Sequence, residues 1–254
     1  MTLQRIYEWS VIWQLPISLN KCSVLSFCRK PSNFRFSYSI NGTVPEYCNS
    51  IRDLGITLCS DLSFRKHIDL MCNRARLRAN IILRCFACKE RVILFRAFIT
   101  YVRPLLEYCC NVWSPYRICD IRKIESVQRR FTKRLWGLKS LSYADRLAAL
   151  QADTLEIRRV KSDLGLYSKA VHGLLSVDPE FVLSNSITRG NGKTITTRRW
   201  HGNMERYLFH ARCVNIWNLL PKEAVQAESY ASFFTQLSKL DLSKVIKKSF
   251  SLSC

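Results

Sequence analysis

The spacing of apolar residues changes near Ser63, and this change constrains the fold more than any other feature. Before it, apolar residues alternate with others, which is the two-residue period of a half-buried strand. The alternating residues are Phe34, Phe36, Tyr38 and Ile40. After it, apolar residues recur about every 3.6 residues along one helix face. That face contains Ile68, Met71, Ala75, Ala79, Ile82 and Phe86. The sequence therefore predicts an α+β chain, with a small antiparallel β portion at about 20–60 and a mainly α-helical remainder.

Turn and cap residues place the individual elements. Asn41-Gly42 predicts a hairpin turn, and the apolar runs at 22–27 and 53–58 predict further strands. Asp120 and Ser229 are expected helix N-caps. Ser142 with Asp145 has capping-box spacing, and Asp153 with Glu156 predicts another helix start. Helices are predicted over 3–14, 63–86, 90–102, 121–136, 142–150, 154–174, 204–219 and 230–240. The aperiodic segment 176–200 predicts a loop.

Net charge gives the first indication of function. The chain has 40 Lys and Arg against 19 Asp and Glu, a net charge of +21. Residues 63–175 contribute +14 of this excess. Such an imbalance indicates a polyanionic partner, usually nucleic acid and less often a membrane surface.

The sequence contains no membrane span, because Arg96 and Arg103 interrupt its best apolar stretch. Glu8 interrupts the apolar part of any signal peptide at the N-terminus. We therefore expect an intracellular protein of the cytoplasm or nucleus, with no membrane partner, that is not secreted. The twelve irregularly spaced cysteines are then expected to be thiols.

The segment 121–135 predicts an amphipathic basic helix. Its apolar face contains Ile121, Ile124, Val127, Phe131 and Leu135. Its opposite face contains six cations and one acid, Glu125; the cations are Arg122, Lys123, Arg129, Arg130, Lys133 and Arg134. Further arginines on the preceding helix are Arg74, Arg76, Arg78 and Arg84. These residues either bind a row of phosphates or form an ordinary solvated face.

Motifs for catalysis and metal binding are incomplete. Tyr143-Ala144-Asp145 has Arg146 where a polymerase box needs a second carboxylate, and it lies in helical sequence. Gly192-Lys193-Thr194 lacks the leading glycine of a phosphate-binding loop. Cys85-x-x-Cys88 has no second pair at zinc spacing, and His201 with His210 and Cys213 is equally loose. We therefore expect no metal site and no self-contained active site. Trp113 and Trp217 lie among apolar neighbours and are expected in the core.

A series of phrases in fixed order resembles the C-terminal part of reverse transcriptases from non-LTR retrotransposons, the Jockey-like long interspersed elements. These phrases are Leu3-Gln4, Trp9, Trp13-Gln14-Leu15, Asn20-Lys21-Cys22, Arg52–Ile56, Asp61-Leu62, His67-Ile68, Tyr101–Tyr108, Val112–Pro115, Ile124–Lys133, Leu141–Tyr143, Arg146-Leu147, Leu155-Glu156, Arg158-Arg159 and Trp217–Pro221. The resemblance covers nearly the whole chain. It implies that the catalytic aspartates lie upstream of Met1, so that Mg²⁺ is expected only for the full-length parent enzyme and no cofactor on this chain.

The resemblance also implies three parts: 1–62 as the end of a polymerase palm, 63–140 as a basic helical thumb, and 141–254 as a helical C-terminal region. Lys21 matches a palm lysine that assists protonation of pyrophosphate, or it is a surface lysine beside a strand. Asp53, Leu54 and Gly55 match a hairpin that grips the primer end, or they form a strand with a bulge. The basic helix would lie along the template–primer duplex.

These observations predict a fragment of an RNA-directed DNA polymerase that is inactive alone. It is expected to bind an RNA–DNA or DNA duplex without sequence preference through Arg74, Arg78, Arg122, Lys123, Arg129, Arg130, Lys133 and Arg134. A second expected partner is the upstream polymerase region. The alternatives are a domesticated helical module that binds protein and a non-functional pseudogene-derived fragment.

Overall fold

The computed structural model describes residues 3–27, 36–175, 193–196, 203–227 and 229–251. The described residues are mostly helical, with short strands near the N-terminus, which confirms the predicted fold class. Their contacts divide the chain into two units, Met1–Met71 and Cys72–Cys254. The elements of each unit follow.

The first unit combines helices with four short strands. Its elements are α1 (Leu3–Ile12), a 3₁₀ turn (Leu19–Lys21), β1 (Ser23–Leu25), β2 (Glu46–Cys48), β3 (Ser50–Asp53), β4 (Ile56–Cys59) and the start of α2 (Arg65–Cys85). Strands β3 and β4 pair antiparallel, as predicted, whereas β1 and β2 pair in parallel. The parallel pair joins segments about twenty residues apart, a pairing that no local signal specifies.

The prediction of one strand over 53–58 is wrong, because the chain reverses in the middle of it. Asp53 pairs with Ile56, so Leu54 and Gly55 form a two-residue hairpin turn. Their φ angles are 44° and 89°. Two positive φ angles match the twist of the flanking strands in a tight hairpin, and Gly55 adopts this conformation without strain. The alternative of a strand with a bulge is therefore also wrong.

The turn predicted at Asn41-Gly42 is confirmed. Ile40 and Thr43 exchange two backbone hydrogen bonds of 2.9 Å across it, and both central residues have positive φ. The strand predicted before this turn is not formed at 36–39, while Phe34 lies outside the described residues. Only Ile40 makes a bridge, so alternation alone did not suffice for a paired strand.

The second unit is helical. It contains the rest of α2 and then α3 (Arg91–Tyr101), α4 (Arg103–Glu107), α5 (Cys110–Trp113), α6 (Ile118–Lys133), α7 (Tyr143–Ala149), α8 (Leu155–Val171), α9 (Asn203–Arg206), α10 (Phe209–Trp217), α11 (Lys222–Val225), α12 (Tyr230–Ser238) and α13 (Leu242–Ser251). Of the predicted 176–200 loop, all but 193–196 lies outside the described residues. That short piece is packed, because Ile195 is buried and its N–H donates to Asn218 at 3.0 Å.

Two of the four predicted capping side chains, Ser142 and Ser229, cap their helices. The Ser142 and Ser229 hydroxyls accept from the N–H groups three residues on, as predicted. The start near 153 is also confirmed, although the capping side chain is Thr154. Asp120 is not an N-cap, because α6 begins at Ile118 and Asp120 lies within its first turn. A carboxylate there still favours the positive end of the helix dipole.

A large aromatic and aliphatic cluster holds the C-terminal helices together. Trp217, Tyr167 and Phe233 are fully buried, and the ring centroids of Trp217 and Tyr167 lie 5.5 Å apart. Trp113 is also fully buried, and its indole N–H donates to the Tyr108 carbonyl at 2.8 Å. The prediction that both tryptophans are core residues is therefore confirmed. No helix in the described ranges is both long and apolar enough to cross a membrane.

Candidate nucleic-acid interface

Helix α6 has the two faces that its sequence predicts. Ile124, Val127 and Phe131 are at most 2% exposed and pack into the second unit. The opposite face presents Arg122, Arg129, Arg130, Lys133 and the capping residue Arg134, all exposed, with Lys123 half-buried. The burial pattern thus places the cations on one side of the helix, about 18 Å long from Arg122 to Arg134.

Glu125 does not share this basic face, contrary to the sequence analysis. Its carboxylate is 7% exposed and accepts the Leu155 N–H at 3.0 Å as well as the Tyr143 hydroxyl. Burial, and next the neighbouring Glu125 carboxylate, raise the pKa of Tyr143. Glu125 therefore joins α6 to α7 and α8, and its charge does not reduce the positive charge of the outer face.

A groove of about 390 Å³ runs between α2 and α6. The residues that line it are Arg76, Ala79, Asn80, Leu83, Val127, Arg130, Phe131, Lys133 and Arg134. Four of these nine are cations and none is acidic. Its floor is apolar and its walls are basic, which is the arrangement that a polyanion requires.

The groove cations are held by neutral partners. The Arg134 guanidinium donates to the Asn80 amide oxygen at 2.7 Å, and that of Arg76 donates to the Ser126 hydroxyl at 3.2 Å. The Arg76 Nε is buried and has no hydrogen-bond partner within the described ranges. Among the described residues, no carboxylate forms an ion pair with Arg76, Arg130, Lys133 or Arg134. Their charge is therefore available to an external anion.

The structure brings together only some of the predicted binding residues. Arg130, Lys133 and Arg134 line the groove, whereas Arg74, Arg78, Arg122, Lys123 and Arg129 do not. Arg74 and Arg78 are exposed on α2, where Arg78 donates to the Tyr101 carbonyl at 3.4 Å. The Arg129 guanidinium lies 4.8 Å from the Tyr143 ring centroid. The predicted set thus covers a broader basic surface around the groove.

Arg76 and Asn80 complete the groove, although neither is in the predicted binding set. They are spaced four residues apart on α2, with Leu83 three residues further, so one helix face carries all three. That spacing was visible in the sequence. The packing of this face against α6 was not, because it joins segments about fifty residues apart.

Several cations around helices α8 and α10 are neutralised by carboxylates within the second unit. Arg158 and Lys161 pair with Glu107 and Asp153, and the buried Asp163 accepts both guanidinium arms of Arg212 at 2.8 and 3.0 Å. Burial raises the pKa of Asp163 even though Arg212 opposes this shift. These residues stabilise the packing of α8 and α10.

A second cavity, of about 240 Å³, lies beside this ion-pair network. Its charged lining residues are of both signs: Glu156, Arg159, Asp163, Arg206 and Arg212. Carboxylates thus line this cavity together with the cations, and Arg212 pairs with Asp163, in contrast to the α2–α6 groove, whose lining has no acidic residue.

The remaining predicted site residues lie in the first unit. Lys21 is exposed at the end of the 3₁₀ turn, directly before β1. Asp53 ends β3, and Leu54 and Gly55 form the β3–β4 turn, with the Leu54 side chain 82% exposed. The β3–β4 turn therefore forms an exposed hairpin tip.

The structure describes some of the incomplete motifs that the sequence contains. Tyr143-Ala144-Asp145 begins helix α7, which confirms that it is not a β-hairpin box. Cys85 and Cys88 are free and exposed, and His210 contacts the Tyr167 hydroxyl at 3.3 Å. His201 and Gly192 lie outside the described residues. Within the described ranges, no three His, Cys, Asp or Glu side chains are grouped for a metal ion.

Comparison with known proteins places the chain among relatives of mobile-element polymerases. It is 23% identical over 193 residues to the RNA-directed DNA polymerase from mobile element jockey of Drosophila funebris. This match covers 75% of the chain and 20% of that polymerase, so the chain spans about a fifth of it. The chain is therefore distantly related to a retrotransposon reverse transcriptase, as its sequence phrases indicated.

A second relative identifies the family to which the chain belongs. The chain is 30% identical over 141 residues to the uncharacterized protein B0403.1 of Caenorhabditis elegans, which covers 54% of this chain and 71% of that protein. The chain belongs to the family of this nematode protein. No protein-family model and no solved structure matches it.

Proposed function

We propose that the chain binds the phosphate backbone of an RNA–DNA or DNA duplex in the α2–α6 groove, without sequence preference. The observation that carries this proposal is the groove itself, whose four cations lack carboxylate partners within the described residues. Like charges held this close repel one another, and a phosphate backbone relieves the repulsion and releases counterions. The exposed cations of α6 outside the groove extend the same surface.

The relation to a reverse transcriptase supports a duplex as the ligand. The jockey relative is named as an RNA-directed DNA polymerase. We infer that the first part of the chain would correspond to the end of a palm, and that helices α2 to α6 would form a thumb lying along the template–primer duplex. Lys21 and the hairpin at Asp53, Leu54 and Gly55 would then act at the palm, beside residues of the parent enzyme.

The binding proposal is tested by titrating a labelled RNA–DNA hybrid and a DNA duplex with the purified chain. The triple variant Arg130→Glu, Lys133→Glu, Arg134→Glu should bind at least about tenfold more weakly at low salt. The matched control Arg91→Glu, Arg96→Glu, Lys222→Glu makes the same charge change at exposed cations away from the groove. Equal losses of affinity in both variants would show that only the net charge matters, and would contradict binding of the duplex in the α2–α6 groove.

We further propose that the chain does not polymerise by itself. Its nearest approach to a polymerase box, Tyr143-Ala144-Asp145, lies on a helix and has one carboxylate. Two-metal catalysis needs carboxylates that hold both ions beside the primer end. Incorporation of nucleotides on a primed template with Mg²⁺ by the purified chain would overturn this part of the proposal, and leave the binding proposal intact.

A second candidate function, binding of protein, is favoured by one observation. Helix α1 and the turn that follows it expose a series of large apolar residues: Leu3, Ile6, Trp9, Val11, Ile12 and Trp13. Such a surface is larger than isolated apolar side chains and is typical of an interface. The upstream polymerase region is the partner that fits the distant relation. If protein binding is the main function, the triple groove variant will retain it fully.

A further inference from the structure

Trp136 is the most exposed large apolar residue among those described, at 83%. It follows α6 directly, two residues after Arg134. Its indole makes no ring contact or hydrogen bond with the described part of the chain. Trp113 and Trp217, in contrast, are fully buried. The protein therefore exposes a large flat ring at the end of its most basic helix.

The turn that carries Trp136 is held in place on both sides. Leu135 and Leu138 are at most 1% exposed, and the Leu138 N–H donates to the Leu135 carbonyl at 3.2 Å. Between them, Gly137 has a φ of 75°, which lets the chain turn without strain. The two buried leucines thus fix the position from which the indole projects.

Arg146 fixes the same turn from the other side. It is 4% exposed, and its guanidinium donates to the Leu141 carbonyl at 2.9 Å and to the Thr132 hydroxyl at 3.3 Å. These bonds join α7 to the end of α6 and to the turn that follows. Because these contacts hold the turn in place, the Trp136 ring loses little conformational freedom when it stacks on a ligand.

The backbone of Trp136 is close to a residue that lines the groove. Arg134 lines the groove, and two trans peptide units separate the Cα atoms of Arg134 and Trp136 by at most about 7 Å. Cations that follow a backbone, beside an aromatic ring open to solvent, are the combination used to bind unpaired nucleotides. Every base has a π face, so such stacking does not select a sequence.

We propose that Trp136 stacks on an unpaired nucleobase of a strand whose phosphates lie in the α2–α6 groove. The chain would thus recognise a duplex with a single-stranded extension in preference to a blunt duplex. This inference rests on the proposed function of the groove. A base within a duplex is already stacked, and removing it costs a few kcal/mol. An unpaired base carries no such cost.

The experiment compares two probes on the same chain: a blunt DNA hairpin, and the same hairpin with a single-stranded extension of about eight nucleotides. The wild-type chain should bind the extended hairpin about 5- to 150-fold more tightly than the blunt one. Trp136→Ala should abolish this preference and change blunt-hairpin affinity less than about twofold, whereas Trp136→Phe should retain most of it. Phe27→Ala, which truncates another exposed aromatic ring, is the matched control and should behave as wild type.

The outcomes separate the two proposals. The stacking role would be overturned if Trp136→Ala lost the same affinity for both hairpins, or if the wild-type chain did not prefer the extended hairpin. Neither result would contradict binding of a duplex in the groove. If the wild-type chain bound neither hairpin, both the proposed binding of a duplex in the groove and the stacking role of Trp136 would be overturned. If circular dichroism shows that Trp136→Ala is unfolded, Trp136→Gln, which also removes the ring, takes its place with the same expected and contradicting outcomes.

Discussion

The Glu125 carboxylate accepts the backbone N–H of Leu155, the first residue of α8, at 3.0 Å. The first N–H groups of a helix have no partner within the helix, and this one is buried. The same carboxylate accepts the Tyr143 hydroxyl, so a single side chain of the basic helix ties α6 to the two helices that follow it. The one acid within 121–135 therefore serves the interior, and the surface of α6 is left to cations.

We predict that Glu125→Ala lowers the free energy of unfolding by about 2–4 kcal/mol, because it leaves the buried Leu155 N–H and Tyr143 hydroxyl without an acceptor. Glu125→Gln retains one acceptor oxygen and should cost about half as much. Urea denaturation of the whole chain measures both. Glu90→Ala removes an exposed carboxylate that caps nothing and should cost less than about 0.5 kcal/mol. Equal effects at positions 90 and 125 would contradict the role given to Glu125.

We predict that Leu54→Asn stabilises the first unit. Leu54 has a φ of 44° in the β3–β4 turn, a conformation that costs a non-glycine residue about 1–2 kcal/mol and that asparagine adopts more readily. Its side chain is 82% exposed, so the substitution loses little buried apolar area. The expected gain in the free energy of unfolding is about 0.5–1 kcal/mol.

The control for this substitution is Leu70→Asn on helix α2, where leucine is also partly exposed but the backbone is helical. There asparagine should cost a few tenths of a kcal/mol, because its helix propensity is lower. Thermal or urea unfolding that shows a loss for Leu54→Asn would show that the leucine side chain, and not its φ angle, determines stability at the turn.

Patterns in the sequence predicted helix faces and helix caps, which depend on neighbouring residues. They did not predict contacts between segments that are far apart in the sequence. The 3.6-residue period fixed the buried face of α6, and Ser142 and Ser229 capped their helices as their types predict. The parallel pairing of β1 with β2 and the packing of α2 against α6 join distant segments, which no local pattern specifies. Trp136 lies between two leucines in the sequence, so its exposure was equally invisible there.

We predict that thiol reactivity divides the cysteines by burial. Cys85, Cys88, Cys109 and Cys119 are exposed, whereas Cys72, Cys110 and Cys213 are buried. Burial raises the pKa of the Cys110 and Cys213 thiols above the usual 9.0. Alkylation of the native chain followed by peptide mass mapping should label the exposed group within minutes and the buried group only after unfolding. Fast labelling of Cys213 in the native chain would contradict its placement.

The same two pKa shifts predict the pH dependence of stability. Above about pH 9 the unfolded chain loses protons from these thiols while the folded chain keeps them, so the unfolded state gains and stability falls. As the pH rises above 9, deprotonation of the two thiols in the unfolded chain should therefore lower the free energy of unfolding. The double variant Cys110→Ala, Cys213→Ala should lose this part of the pH dependence in urea denaturation, and an unchanged slope would contradict it.

Salt dependence distinguishes a cation that faces a phosphate from one that is paired internally. Lys133 lines the groove and has no carboxylate partner among the described residues, whereas the Arg158 guanidinium pairs with Glu107. For a DNA duplex, each phosphate contact contributes about −0.9 to the slope of log K against log salt. Lys133→Ala should therefore make the slope less negative by about 0.9, and Arg130→Ala should do the same.

Arg158→Ala makes a comparable change in net charge but removes an internal ion pair. It should leave the salt slope unchanged and lower the free energy of unfolding, because Glu107 loses the partner that holds it at 3.0 Å. Anisotropy titrations at several salt concentrations give the slopes, and urea denaturation gives the stabilities. If Arg158→Ala shifts the slope as much as Lys133→Ala does, the duplex responds to total charge, and the α2–α6 groove is not where the phosphates lie.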